Sequence, residues 1–223
     1  MKAALVYTST TPELIGLVEK EVRSRIGGEA EIISLQDPSI LADVRKAGYV
    51  TPQAAAKLMH MYTQAVLQGA DAIPNICSSV GEAADAFQSA AAYTGVPVVR
   101  IDEEMCREAV RIGHRIGVLA TLPTTLSPTK GTINRVAREM GTHVELTDGL
   151  VDAFNLDQAQ FRSLLIDAAC KISDSVDVIV LAQGSMAYVE ADIEKATGKP
   201  VLSSPRFGAQ ALADALKKKG LMP

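Results

Sequence analysis

Gly69-Ala-Asp71-Ala-Ile-Pro-Asn75-Ile-Cys77-Ser78-Ser79 and Ser175-Val-Asp177-Val-Ile-Val-Leu-Ala-Gln183-Gly184-Ser185 are two versions of one segment. In both, an Asp opens a short apolar run, and six residues later the chain reaches a small polar tripeptide. A helical pattern follows each and leaves through a near-identical exit, Tyr93-Thr94-Gly95-Val96-Pro97-Val98 beside Ala196-Thr197-Gly198-Lys199-Pro200-Val201. The preceding runs match as well: Leu5-Val6-Tyr7-Thr8 corresponds to Val118-Leu119-Ala120-Thr121, and each Thr opens a run of Thr, Ser and Pro. Self-similarity of this kind marks duplicated units. The match sets Thr8 and Cys77 in one half against Thr121 and Gln183 in the other.

The rest of the chain falls into the same rhythm. Strands are expected at Ala3–Tyr7, Ala30–Leu35, Ala72–Ile76, Val96–Val99, Ile116–Ala120, His143–Leu146, Val178–Leu181 and Pro200–Leu202. Amphipathic segments at Glu13–Ile26, Pro52–Gln68, Gly81–Thr94, Glu103–Ile112, Lys130–Met140 and Asp157–Ser173 separate them. Strand and helix in alternation give an α/β fold with parallel sheets and helices on both faces. The expected architecture is two pseudo-symmetric lobes: residues 1–104 with 206–223, carrying Cys77, and residues 105–205, carrying Gln183. Right-handed crossovers gather the loops at the C-terminal strand ends on one edge of each sheet. If those edges face one another, the four loops line a cleft between the lobes.

Composition narrows the function. Apolar residues make up 48% and charged residues 22%, the profile of a folded globular protein. A net charge of −4 with scattered Lys and Arg argues against nucleic acid as a partner. The first residues read as a strand rather than a signal peptide, and no apolar run approaches a membrane span. Three cysteines without a CxxC pair indicate neither a disulfide framework nor a zinc site, so a cytoplasmic protein with reduced thiols is expected.

Cys77 is the residue with chemical promise. It stands where an apolar strand meets a helix beginning near Gly81, and the positive end of a helix favours thiolate. Ser78 and Ser79 are placed to cap that helix and to offer hydroxyls and amides to an anion. Cys106 and Cys170 fall within amphipathic helices and are expected to pack in the core. The stretch Thr121-Leu-Pro-Thr124-Thr125-Leu-Ser127-Pro-Thr129-Lys130 reads as a hydroxyl-rich connection before a helix: a capped helix start, or a cradle for a carboxylate. Thr8-Ser9-Thr10-Thr11-Pro12 is its counterpart. His60, His114 and His143 do not gather near these loops, so a Cys–His pair finds no support.

These motifs together resemble the aspartate/glutamate racemase superfamily, which includes hydantoin racemase, maleate isomerase and arylmalonate decarboxylase. Asn75-Ile76-Cys77-Ser78-Ser79 is similar to its first cysteine motif. Gly117-Val-Leu-Ala-Thr121 with the run to Lys130 is similar to its threonine loop, and Asp177-Val-Ile-Val-Leu-Ala-Gln183-Gly184-Ser185-Met186 to its second cysteine motif. The resemblance spans nearly the whole chain. It implies a site free of metal and cofactor, a small carboxylic acid as substrate, and a homo-oligomer as a common assembly. It also implies a thiol on each side of the substrate's α-carbon, with hydroxyls and amides holding the charge that develops.

Two positions depart from that pattern. Gln183 stands where the second cysteine is expected, and Lys130 where the threonine loop ends in Tyr. A carboxamide can donate a hydrogen bond but cannot exchange a proton with carbon. The expectation is therefore a racemase- or isomerase-type enzyme in which Cys77 is the one acid, base or nucleophile. Thr8, Ser9, Ser78, Ser79, Thr121, Thr124, Lys130, Gln183, Gly184 and Ser185 are expected to bind substrate. A decarboxylase that protonates an enediolate from one face and a binding protein without catalysis are the alternatives. Reactivity of Cys77 with iodoacetamide at neutral pH is expected to separate enzyme from binder.

Overall fold

Strand β1 (Lys2–Tyr7) is buried at every residue from Ala3 to Tyr7. Because successive side chains of a strand leave on opposite faces, such a run requires cover on both sides. Ala4 and Val6 pack with Ile40 and Val44 of α2 (Pro38–Ala47), Leu58 and Tyr62 of α3 (Pro52–Leu67) and Ala84 and Ala91 of α4 (Gly81–Thr94). Ala3, Leu5 and Tyr7 pack the other way, against Leu14, Val18 and Val22 of α1 (Pro12–Ile26) and Leu212 and Leu216 of α9 (Ser204–Lys218). The sheet runs β2-β1-β3-β4, with β2 at Glu31–Gln36, β3 at Ile73–Ile76 and β4 at Val98–Arg100, and every pairing is parallel.

This computed structural model describes residues 1–9, 11–152 and 157–223. They form two compact units, residues 1–101 with 205–223 and residues 102–204. The second unit repeats the strand order of the first as β6-β5-β7-β8, again all parallel. Its strands are β5 (Arg115–Ala120), β6 (Glu145–Leu150), β7 (Val178–Leu181) and β8 (Val201–Ser203). Helices α7 (Gln158–Ser173) and α8 (Glu190–Thr197) build a core with Leu119, Ile179 and Leu181. Helices α5 (Glu103–Ile112) and α6 (Pro123–Glu139) pack against each other and against the same sheet.

The repeated residues make the same local structures twice. Asp71 accepts the Lys2 amide at 2.7 Å and returns its own amide to the Lys2 carbonyl; Asp177 does the same for Arg115, at 2.9 and 2.7 Å. The Arg115 guanidinium also grips Asp177, and holds its carboxyl down at about 2. At the helix exits, Gly95 and Gly198 take left-handed conformations at φ 68° and 65°, which favour glycine. The threonine before each glycine then accepts the amide two residues on, Thr94 from Val96 and Thr197 from Lys199.

Three elements differ from the sequence expectation. Helix α2 was not anticipated, although Asp37 accepts the Ser39 amide at 3.0 Å and Pro38 opens the first turn. Helix α6 begins at Pro123 rather than Lys130. Pro128 lies within it and removes one intrahelical donor, which made the hydroxyl run read as a connection. Strand β6 occupies Glu145–Leu150 rather than His143–Leu146; it is an edge strand, half exposed, with little apolar signal. Cys106 is buried as expected, but Cys170 is exposed: α7 buries Leu165, Ala168 and Ala169, and Cys170 falls beyond that stripe.

Two glycines test how tightly α9 and α6 are held. A Cβ at Gly208 would meet the Ile101 backbone at 2.7 and 2.9 Å, whereas one at Gly131 would meet nothing within 4 Å. Gly208→Ala is expected to destabilise the protein by about 1–3 kcal/mol through overpacking. Gly131→Ala, in an open helical position, should stabilise it by about 0.5–1 kcal/mol. Urea unfolding midpoints of the two variants check both signs.

Candidate active site

Parallel pairing of β1 with β3 sets Val6 opposite Asn75 and Tyr7 opposite Ile76, so the next residues on the two strands are Thr8 and Cys77. In the second unit Leu119 pairs with Leu181, and two steps further come Thr121 and Gln183. The same register thus puts a threonine beside Cys77 in one unit and a threonine beside Gln183 in the other. Sites in open parallel sheets form at these C-terminal strand ends.

Cys77 is extended, with φ −163° and ψ 116°, and leads into a 3-10 turn over Ser78–Val80. Only then does α4 start, with Val80 rather than a serine at its cap position. The thiol therefore stands a full turn before the α-helix. Burial pushes its pKa up; the Thr8 hydroxyl, the Ser79 and Val80 amides and the Ser79 hydroxyl pull the other way, and burial wins. The residue keeps intermediate exposure. Burial thus favours the protonated, neutral thiol, where the sequence suggested a helix-activated thiolate. Ser78 and Ser79 are both buried, and Thr8 is fully buried, its Oγ1 in the resting protein without a hydrogen-bond partner among the described residues. Ionisation of Cys77 would give that hydroxyl an acceptor.

Behind the thiol lies a buried relay that the sequence reading missed. Asn75 Nδ2 donates to the Cys77 carbonyl at 2.9 Å, and Tyr62 Oη donates to Asn75 Oδ1 at 2.9 Å. The carbonyl can only accept, which fixes the orientation of the Asn75 amide. Burial, then the nearby Cys77, keeps the Tyr62 hydroxyl protonated far above its ordinary range. Beneath the turn, buried Arg100 pairs with Asp85 at 2.7 Å, and a side chain at Gly81 would collide with its guanidinium. A polar residue in the apolar run Ile73–Ile76 was the available signal for Asn75.

In the second unit, the Thr121 amide donates to Gln183 Oε1 and Gln183 Nε2 donates to Thr121 Oγ1, both at 2.8 Å. The pair extends the β5–β7 ladder beyond the Ala182 amide, which donates to Leu119 O at 2.9 Å. Gly184 and Ser185 open a 3-10 turn over Gly184–Val189, with Ser185 exposed. Thr124 sits in the first turn of α6, its buried Oγ1 without a partner. Lys130, deeper in α6, pairs with Asp148 of β6 at 2.6 Å. Ser9 is partly buried after β1, and Thr10 lies outside the described residues. His60, His114 and His143 are exposed, and His114 Nδ1 lies 3.3 Å from the His143 carbonyl at the start of β5, the end opposite Thr121.

Comparison with protein families matches residues 4–212 to Asp/Glu/Hydantoin racemase. The chain belongs to the Asp/Glu/hydantoin racemase family. Solved structures agree on the fold. Allantoin racemase from Klebsiella pneumoniae has a TM-score of 0.65 at 20% identity, over 100% of this chain and 89% of that one. A glutamate racemase from Bacillus anthracis has 0.70 at 16%, over 100% and 83%. Arylmalonate decarboxylase has 0.54 at 16%, over 97% and 92%. No curated protein matches in sequence. For a racemase-family chain, one thiol and one carboxamide at equivalent strand ends is an asymmetric equipment.

The thiol's state is directly measurable. In a Cys170→Ser background, which removes the exposed thiol, iodoacetamide alkylation of Cys77 should titrate above the free-cysteine value of about 8.5. Thr8→Val removes a donor to the thiolate and should move the midpoint further up. A midpoint at or below that of free cysteine contradicts the neutral resting thiol.

Proposed function

We propose that the protein is a cofactor-independent enzyme that moves a proton at the carbon α to the carboxylate of a small acid, with Cys77 as its one thiol acid/base. The observation that carries this reading is the register-equivalent pair: Thr8 beside Cys77 and Thr121 beside Gln183. A thiol can deliver a proton to carbon and a carboxamide cannot. Ser78, Ser79 and the amides of the 3-10 turn supply donors for charge that develops on the substrate, and Thr8 supplies one for the thiolate that remains. Thr121, Thr124, Gly184 and Ser185 carry the recognition groups of the second unit. Lys130 is committed to Asp148 and drops to a supporting role.

A second reading, decarboxylation, draws on the neutral thiol. Carbon dioxide leaves the α-carbon, the resulting enediolate takes the Cys77 Sγ proton at that carbon, and solvent re-protonates the thiolate. An acid that waits in its protonated form suits this step. Slow alkylation at neutral pH therefore no longer marks a non-catalytic binder, because a proton donor is also unreactive toward iodoacetamide.

Turnover with deuterium decides the matter. In D2O, the enzyme should place deuterium at the α-carbon of at least one acid among glutamate, aspartate and phenylmalonate. Cys77→Ala should lower that rate by about 10²–10⁴-fold. An undiminished rate in Cys77→Ala would sink the proposal.

A further inference from the structure

The Gln183–Thr121 pair has a polarity that can be read without ambiguity. A backbone N–H only donates, so the Gln183 atom facing the Thr121 amide at 2.8 Å is Oε1. The atom facing Thr121 Oγ1, also at 2.8 Å, is then Nε2, which likewise only donates. Thr121 Oγ1 is therefore an acceptor toward Gln183, and its own proton points to something else. Thr121 is only half-buried, which leaves that proton open to a ligand. In the first unit the neighbour of the threonine is a thiol, and Thr8 Oγ1 has no hydrogen-bond partner in the resting state among the described residues.

We propose that Gln183 is a positioning residue that holds Thr121 as a hydrogen-bond donor of fixed polarity, making Thr121 a ligand for an anionic oxygen. This rests on the reading of the chain as an enzyme for small acids. Gln183 then acts on the substrate through Thr121, which engages its carbonyl and one of its two amide protons. A cysteine at this position could not make the pair, since a thiol is a weak donor and a weak acceptor on a shorter side chain. The exchange of a second thiol for a carboxamide thus trades a proton carrier for a fixed donor. A half-buried donor of fixed polarity favours a carboxylate or imide oxygen over a hydroxyl or amine that must itself donate.

A carboxylate is the sharpest probe of this arrangement. Gln183→Glu preserves size but presents two acceptors, so at neutral pH the Thr121 hydroxyl turns inward to donate and is lost to the ligand. Once the introduced carboxyl is protonated, it again offers one acceptor and one donor, as the amide does. The experiment is titration of the full chain with malonate, followed by NMR. At pH 7.5, Thr121→Val and Gln183→Glu should each weaken malonate by about 10–100-fold, the loss of one hydrogen bond to a charged group. Relative to wild type at the same pH, Gln183→Glu should recover on acidification toward pH about 4, the carboxyl range, while Thr121→Val should not. Thr121→Ser, which keeps the hydroxyl, should bind like wild type.

In the free protein, a scalar coupling across the hydrogen bond from the Thr121 amide nitrogen to the Gln183 side-chain carbonyl carbon should be present. Its absence, a failure of wild type to bind malonate at Thr121, or a loss in Gln183→Glu that ignores pH each overturns the proposal. These readouts do not depend on Cys77. Retained turnover in Cys77→Ala would defeat the catalytic reading while leaving this one to its own test.

Discussion

The parallel register between the two central strands of each sheet is the constraint on which the site depends. It carries Val6 opposite Asn75 and Leu119 opposite Leu181, and so delivers residues 8 and 77, and residues 121 and 183, to adjacent strand ends. A slip of one residue would turn each of these side chains to the other face. The slip is resisted by cover on both faces of β1 and by the aspartates that open β3 and β7, each exchanging hydrogen bonds with the first residue of the neighbouring strand. Those aspartates lie at the far end of the strands, yet they help set which side chains arrive at the near end.

On that common scaffold the two units diverge in chemistry. In the first, burial favours the protonated Cys77 thiol, while Thr8, Ser79 and the turn amides favour the thiolate. Under the proposed function, that balance suits a proton donor better than a permanently ionised nucleophile. The Tyr62–Asn75 relay pins the carbonyl of the same residue and leaves the thiol as the part free to act. In the second unit, the carboxamide closes on its threonine and removes proton exchange from that strand end.

Much of this was legible in the sequence because duplication converts similarity into position. The α/β class followed from the alternation of apolar runs and helical patterns, and the repeat set Thr8 with Cys77 and Thr121 with Gln183 before any register was known. What stayed hidden has physical causes. Pro128 disguised the first turns of α6, because a proline inside a helix looks like its boundary. Edge strand β6 has one face to solvent and little apolar signal. The thiol's protonation state depends on how many atoms crowd it, which the motif Cys77-Ser78-Ser79 cannot tell. The mutual bonds of Gln183 and Thr121 join residues 62 positions apart, and no local pattern shows which partner donates. Asn75 alone left a trace, as a polar residue in a buried strand.

The central claim is that Cys77 alone exchanges a proton with the substrate's α-carbon. A crystal structure with a bound small acid such as phenylmalonate tests this most directly. The account predicts the α-carbon in van der Waals contact with Cys77 Sγ, with no Lys, His, Asp, Glu, Tyr or second Cys side chain in contact with that carbon. An acid bound away from Cys77, or a second proton carrier against the carbon, would contradict it.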